Sequence, residues 1–185
     1  MIEQPLMPAT AQRLRLGDSQ AIESVVGAFH APIYRYLVYR GCTATEAEEL
    51  TAETFFQVLK SASSFRGNDS QIRAFVFATA RHVRANSYRN RSNDAVRIDS
   101  AMAIADSQDS PIEQLLTQER HSSVNRAIEQ LGEVAKEIVV LRFIEDLSIK
   151  EIAKVCGIPT GTVKSHLHRA KQELKSKLFD SETQK

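Results

Sequence analysis

Thr162, Lys164, Ser165, His168, Arg169 and Gln172 fall on one side of a helical wheel, with Thr160 at its start. Their hydroxyl, ammonium, imidazole, guanidinium and amide groups can reach phosphate oxygens and base edges. Between 160 and 178 five Lys or Arg stand against one Glu, a local balance of +4. A second cationic stretch lies between 72 and 97, where six Arg face one Asp, a balance of +5. Phe75, Phe77, His82, Asn86 and Tyr88 are interleaved with those arginines. Cations take phosphates and rings take unstacked bases, so this composition suits a single-stranded or melted nucleic acid. Phe75 and Phe77 read as core, while His82, Asn86 and Tyr88, with Arg81, Arg84 and Arg89, are surface candidates. A third stretch is acidic: between 41 and 60 four Glu face one Lys, a balance of −3. Glu46, Glu49, Glu53, Gln57 and Lys60 recur there at helical steps, as either a solvated face or a docking face.

The stretch 151–170, EIAKVCGIPTGTVKSHLHRA, reads as two short helices and a tight turn. Ile149, Ile152, Ala153 and Cys156 make one apolar stripe, and Gly157 supplies the left-handed residue that ends a helix. Pro159 blocks continuation, and Thr160 is expected to cap the second helix. Val163, Leu167, Ala170, Leu174 and Leu178 are its expected buried stripe. A helix-turn-helix with a basic open face is a reader of the DNA major groove.

Upstream, the pattern predicts a short helix over 10–16, a break at Gly17-Asp18, and a long helix over 19–40 containing Pro32. Thr43 or Thr45 caps a helix reaching 61, with Leu50, Phe55, Val58 and Leu59 inward. A loop over 61–70 precedes a helix over 71–91. The stretch 92–111 has four Asp, four Ser and no aromatic residue, which is a linker composition. Helices over 112–131 and 133–143 follow, with Leu115, Leu116, Val124, Ile128, Leu131, Ile138, Val139, Leu141 and Phe143 as core.

The expected class is all-α: two small helical domains joined by a flexible linker, the second ending in the helix-turn-helix. The 185 residues carry 24 Lys+Arg against 23 Asp+Glu, so any affinity for nucleic acid comes from sorted patches rather than from net charge. Cys42 and Cys156 lack the spacing of a metal site or disulfide framework, which fits a reducing cytoplasm. The start MIEQPLMPAT lacks the pattern of a secretory signal, and no apolar run suffices to insert in a membrane.

Taken in order, AFHAPIYRYL, EAEELTAETFFQVL, FRG and AFVFATARHVRANSYR, then IEQLGEVAKEIVVLRF and LSIKEIAKVCGIPTGTVKSHLHRAKQEL, resemble the extracytoplasmic-function group of bacterial RNA polymerase sigma factors. The resemblance covers nearly all of 10–178. It implies a promoter-melting domain at 10–91, a linker at 92–111 and an upstream-element domain at 112–179. It implies core RNA polymerase and promoter DNA as partners, with no cofactor, no metal and no catalytic residue. Glu49, Glu53, Phe56 and Gln57 would then dock on the polymerase clamp helices. Arg81, His82, Arg84, Asn86, Tyr88 and Arg89 would serve the −10 region, and Thr160, Thr162, Lys164, Ser165, His168 and Arg169 the −35 element. Many members are held inactive by an anti-sigma protein, so such a partner is an open expectation. The chain departs from the family pattern at Ala52, where Gln is common, at Phe75 for Trp, at His82 for Asn and at His166 for Arg. His82 changes the hydrogen-bonding options at the −10 site.

The competing reading is an autonomous, dimeric helix-turn-helix regulator that binds duplex DNA by itself. An enzyme has little support: there is no HExxH, GxSxG or Gly-rich phosphate loop. His166 and His168, two apart on a helix, do not share a metal-binding face.

Overall fold

A computed structural model describes residues 6, 8–93 and 124–183 of the chain. Helix α1 (Thr10–Arg15) stops at Gly17, whose φ of 74° is the left-handed conformation that glycine adopts without cost. Asp18 then starts α2 (Ser19–Tyr39), its carboxylate accepting the Ala21 amide at 2.9 Å. Pro32 lies buried within α2, where it lacks the amide that would bond back along the helix. Thr43 caps α3 (Ala44–Ala62) reciprocally with Glu46: the Glu46 amide donates to Thr43 Oγ1 at 3.3 Å, and the Thr43 amide donates to Glu46 Oε2 at 2.8 Å. Helix α4 (Asp69–Asn93) is tied to α1 by Asp69 Oδ1, which accepts the Ala11 amide at 2.7 Å. Val25, Ile33, Leu37, Phe55, Val58, Ile72, Val76 and Phe77 form the core of this first unit.

The second unit starts with α5 (124–129) and α6 (Glu133–Val139), which runs on into a π-helical turn, Val140–Ile144. Helices α7 (Ile149–Cys156) and α8 (Thr160–Thr183) complete it. Ile138, Leu141, Leu147, Ile152, Val155, Val163 and Ala170 are its buried side chains. The described residues are helices, turns and loops, so the all-α expectation holds. The two units are not separate bodies: α7 packs on α4, the π-helical turn on α2, and the buried residues of both join one hydrophobic cluster.

Three expected core residues are exposed. Phe143 is 60% exposed because the extra residue in the π-helical turn moves it off the register that a regular helix would keep. Leu59, in the last turn of α3, and Val124 are 38% and 39% exposed. Helix α4 begins two residues earlier than expected and runs to Asn93, taking the first two positions of the expected linker. The rest of that linker, with Leu115 and Leu116, lies outside the described residues, as does the side chain of Leu178.

Candidate nucleic-acid interface

The helix-turn-helix is assembled by caps at both ends of α7. Ser148 Oγ accepts the Glu151 amide at 3.3 Å while Glu151 Oε2 accepts the Ser148 amide at 2.8 Å, a reciprocal cap that the sequence reading missed. Gly157 ends α7 at φ 68°. Thr160 is the first residue of α8 rather than a cap before it, and the Pro159 carbonyl accepts the Val163 amide at 3.1 Å. Val163 and Ala170 are buried beneath the helix, and Leu167 and Leu174 are partly buried. Thr160, Thr162, Lys164, Ser165, His168 and Arg169 all stand exposed on the opposite side. Ser165 Oγ donates to the Gly161 carbonyl at 3.0 Å, and a ring nitrogen of His168 lies 3.1 Å from the Gln172 amide. The end of α8 is anchored to the segment after α5 by Lys177 Nζ, 2.9 Å from Gln130 Oε1.

On α4 the six expected residues divide into two strips. His82, Asn86 and Arg89 form one: the Asn86 amide lies 2.9 Å from His82 Nε2, and Arg89 Nη2 donates to Asn86 Oδ1 at 2.8 Å. Arg81, Arg84 and Tyr88 form the other, with the Arg84 guanidinium 4.6 Å from the centroid of the Tyr88 ring. Arg81 and Arg84 of this second strip face the second unit. Arg81 Nε lies 3.9 Å from Glu137 Oε2, and Arg84 Nη2 lies 3.9 Å from Glu133 Oε2 and donates to the Arg40 carbonyl at 2.6 Å. Phe77 is fully buried, as expected of a core residue, and Phe75 stacks on Phe65 with centroids 4.6 Å apart.

The acidic side of α3 is open. Glu49 and Glu53 are exposed, the Gln57 amide donates to Glu53 Oε1 at 2.7 Å, and Phe56 is 59% exposed.

A polar junction joins the units, and sequence reasoning missed it. Tyr36 donates its hydroxyl to Glu137 Oε1 at 2.5 Å and meets the Phe77 ring edge-on, centroids 5.7 Å apart. Burial, then the neighbouring Glu137 carboxylate, push the Tyr36 pKa well above the ordinary tyrosine value, so the hydroxyl stays a donor. Arg40 Nη2 contacts Glu133 at 2.9 Å and Glu137 at 3.1 Å. Burial opposes the Arg40 charge, but Glu137, Tyr36 and Glu133 together outweigh it and raise its pKa. The fully buried Glu145 carboxylate is gripped by Arg35 through Nε at 2.8 Å and Nη2 at 2.6 Å, and Arg73 donates to the Glu145 carbonyl. Arg35 and Glu145 are 110 positions apart in the chain, so no local pattern announces the pair. Burial, then Glu137, raise the Cys156 thiol to about 11, which keeps it protonated and unreactive at neutral pH. Among the described residues no helix is long and apolar enough to cross a membrane.

Residues 25–93 match the family described as Sigma-70 region 2, and residues 121–174 match Sigma-70, region 4. The chain is 27% identical over 183 residues to the RNA polymerase sigma-H factor of Pseudomonas aeruginosa, covering 94% of each chain. It is 25% identical over 181 residues to the ECF RNA polymerase sigma factor SigW of Bacillus subtilis, covering 91% of this chain and 95% of that one. It is also 27% identical over 175 residues to the ECF RNA polymerase sigma factor BldN of Streptomyces coelicolor, spanning 94% of this chain and 66% of BldN. Two solved structures share the fold: CnrH in complex with the cytosolic domain of CnrY, at TM-score 0.68, 20% identity and coverage of 93% of this chain and 96% of that one, and the sigma factor RpoE in complex with the anti-sigma factor NepR from Bartonella quintana, at TM-score 0.65, 23% identity and coverage of 86% and 94%. With the helix-turn-helix, the arginine-rich α4 and the region 2 and region 4 matches in their expected order, the chain belongs to the extracytoplasmic-function family of RNA polymerase sigma factors, the proteins that direct promoter recognition in transcription initiation.

Proposed function

We propose that this sigma factor divides its work among three faces and acts in the cytoplasm without catalysing a reaction itself. Glu49, Glu53, Phe56 and Gln57 of α3 dock on core RNA polymerase. His82, Asn86, Arg89, Arg81, Arg84 and Tyr88 of α4 receive the unstacked strand near −10. Thr160, Thr162, Lys164, Ser165, His168 and Arg169 of α8 read the −35 element. The domain limits that go with this reading are 10–91 and 112–179, joined through 92–111.

The observation that carries it is the sorting of charge onto separate helices: exposed carboxylates around Phe56 on α3, and exposed cationic side chains on α4 and α8. Tethering two DNA-binding units in one chain makes the second contact effectively intramolecular. Phosphate neutralisation supplies affinity, and a few base contacts supply selectivity. An autonomous dimeric regulator is not favoured, because the chain matches region 2 as well as region 4. The solved relatives CnrH and RpoE are complexes with CnrY and the anti-sigma factor NepR, which supports an anti-sigma protein as a further partner here.

The test is a charge reversal on α3. Glu49→Lys with Glu53→Lys is expected to lower association with purified core polymerase at least about tenfold, since reversing charges at an interface costs several kcal/mol. Circular dichroism should be unchanged, because both side chains are exposed. A variant that co-purifies with polymerase as the parent does would remove α3 as the docking face.

A further inference from the structure

His82, Asn86 and Arg89 follow one another along α4 at helical steps and share one outward face. Val76, Phe77 and Ala80, buried on the other side, hold that face in register. Arg89 Nη2 donates to Asn86 Oδ1 at 2.8 Å, and the Asn86 amide nitrogen lies 2.9 Å from His82 Nε2. A guanidinium carries donors only, so Arg89 has to meet the oxygen of the Asn86 amide. That turns the NH2 group, itself a donor only, towards His82. His82 Nε2 must then offer a lone pair, which leaves the ring neutral with its proton on Nδ1. Nδ1 has no hydrogen-bond partner among the described residues.

We propose that Asn86 and Arg89 are positioning residues for His82, which fix its tautomer so that the strand near −10 meets a hydrogen-bond donor there and no acceptor. A donor at that point selects a keto base, thymine or guanine, over an amino base, cytosine or adenine. The inference rests on the reading of α4 as the seat of the melted strand.

The selectivity follows from the base edges. Thymine and guanine carry a carbonyl where cytosine and adenine carry an amino group. Nδ1–H pairs with the first kind and sets donor against donor with the second. An asparagine side chain would offer both a donor and an acceptor, whereas a histidine with one nitrogen already occupied offers a single kind. Asn86 is half-buried and bonded on both sides, so the ring is oriented before a strand arrives.

His168 on α8 supplies the contrast. Its Nε2 lies 3.1 Å from the side-chain amide of Gln172, but no cation is bonded to the oxygen of that amide among the described residues. The Gln172 amide can present either end, and either tautomer of His168 satisfies the contact.

The test begins on the full chain with isotope-labelled histidine. Long-range proton–nitrogen correlation spectra, in a mildly alkaline buffer that keeps imidazoles neutral, show which ring nitrogen carries the proton. His82→Ala assigns the signal, and His168 serves as the reference for an unanchored ring. His82 is expected to hold its proton on Nδ1 in the parent and to become a mixture of tautomers in Asn86→Ala and Arg89→Ala. A parent ring protonated on Nε2, or one that Asn86→Ala leaves on Nδ1, overturns the assignment.

The reconstituted polymerase complex is then assayed on promoters carrying each base at each position near −10. The parent is expected to favour keto over amino bases at one position by about fivefold, the scale of a single hydrogen bond. His82→Ala and Asn86→Ala should each bring that ratio close to unity, and Asn86→Ala should add nothing to His82→Ala. An effect of Asn86→Ala on the ratio that persists without His82 makes Asn86 a direct contact and overturns its positioning role. If Arg89→Ala and Tyr88→Ala slow promoter opening but the parent shows no keto preference, the strand seat stands and the donor assignment falls. If no variant on α4 alters opening, the seat itself falls and the assignment with it.

Discussion

Asp18 shows how much one half-buried carboxylate can organise. Its Oδ1 accepts the Ala21 amide at 2.9 Å and the Arg13 guanidinium at 3.0 Å, so it caps α2 and holds α1 against its start. The amide of Ala21 and then Arg13 lower its pKa below the ordinary 3.8. A depressed folded-state value means that the stabilisation is present above pH 3.8 and is lost as pH falls through the lower folded value. Asp18→Asn is accordingly expected to lower the thermal midpoint at neutral pH, and the gap from the parent should close as the buffer is acidified below 3.8. A gap that stays constant with pH would remove the charge from the explanation. On the reading side, Arg169→Ala is expected to weaken promoter use and relax discrimination among −35 variants by roughly 1–3 kcal/mol, with polymerase binding kept. Transcription from a panel of −35 variants measures it. Arg169 was legible in the sequence as a solvent-facing arginine at helical spacing, whereas Asp18 was read there only as part of the break before α2.

At the scale of the element, the turn between α7 and α8 depends on backbone conformation. Gly157 sits at φ 68°, and a methyl group added there would meet nothing within 4 Å. The cost of Gly157→Ala is therefore backbone strain without a clash, on the order of 1–2 kcal/mol for an L-residue held left-handed. Denaturant unfolding should report that loss, and the −35 contacts should weaken with it. Glycine and proline announced this turn in the sequence. The π-helical turn at Val140–Ile144, which packs against α2, announced nothing, because its residues are ordinary helix-compatible ones. That is why Phe143 was expected inside and is found outside. The α4 arginines show the same limit: their number was legible, but not that Arg73, Arg81 and Arg84 face the second unit while Arg89 bonds to Asn86.

For the whole molecule, the consequence of the junction is cooperativity. Glu145→Ala removes the buried carboxylate that holds Arg35 while keeping the backbone carbonyl that accepts from Arg73, a change that typically costs about 3–5 kcal/mol when one partner of a buried pair is removed. Arg35 is about one-third exposed, so solvent screening places the expected loss toward the lower end of that range. The parent is expected to unfold in one calorimetric transition, and Glu145→Ala in two. A single transition in both proteins would show that the two units are coupled through the apolar contact of α4 with α7 rather than through ion pairs.

The sequence by itself determined the helices, the Thr43 cap, the helix-turn-helix and the sorting of charge into an acidic stretch and two basic ones, because each depends on residues a few positions apart. The tertiary structure decided which of those charges meet. Arg35 with Glu145, Tyr36 with Glu137 and Arg40 with Glu133 are separated by 110, 101 and 93 positions, and at such distances only the packing of one unit against the other brings the groups together.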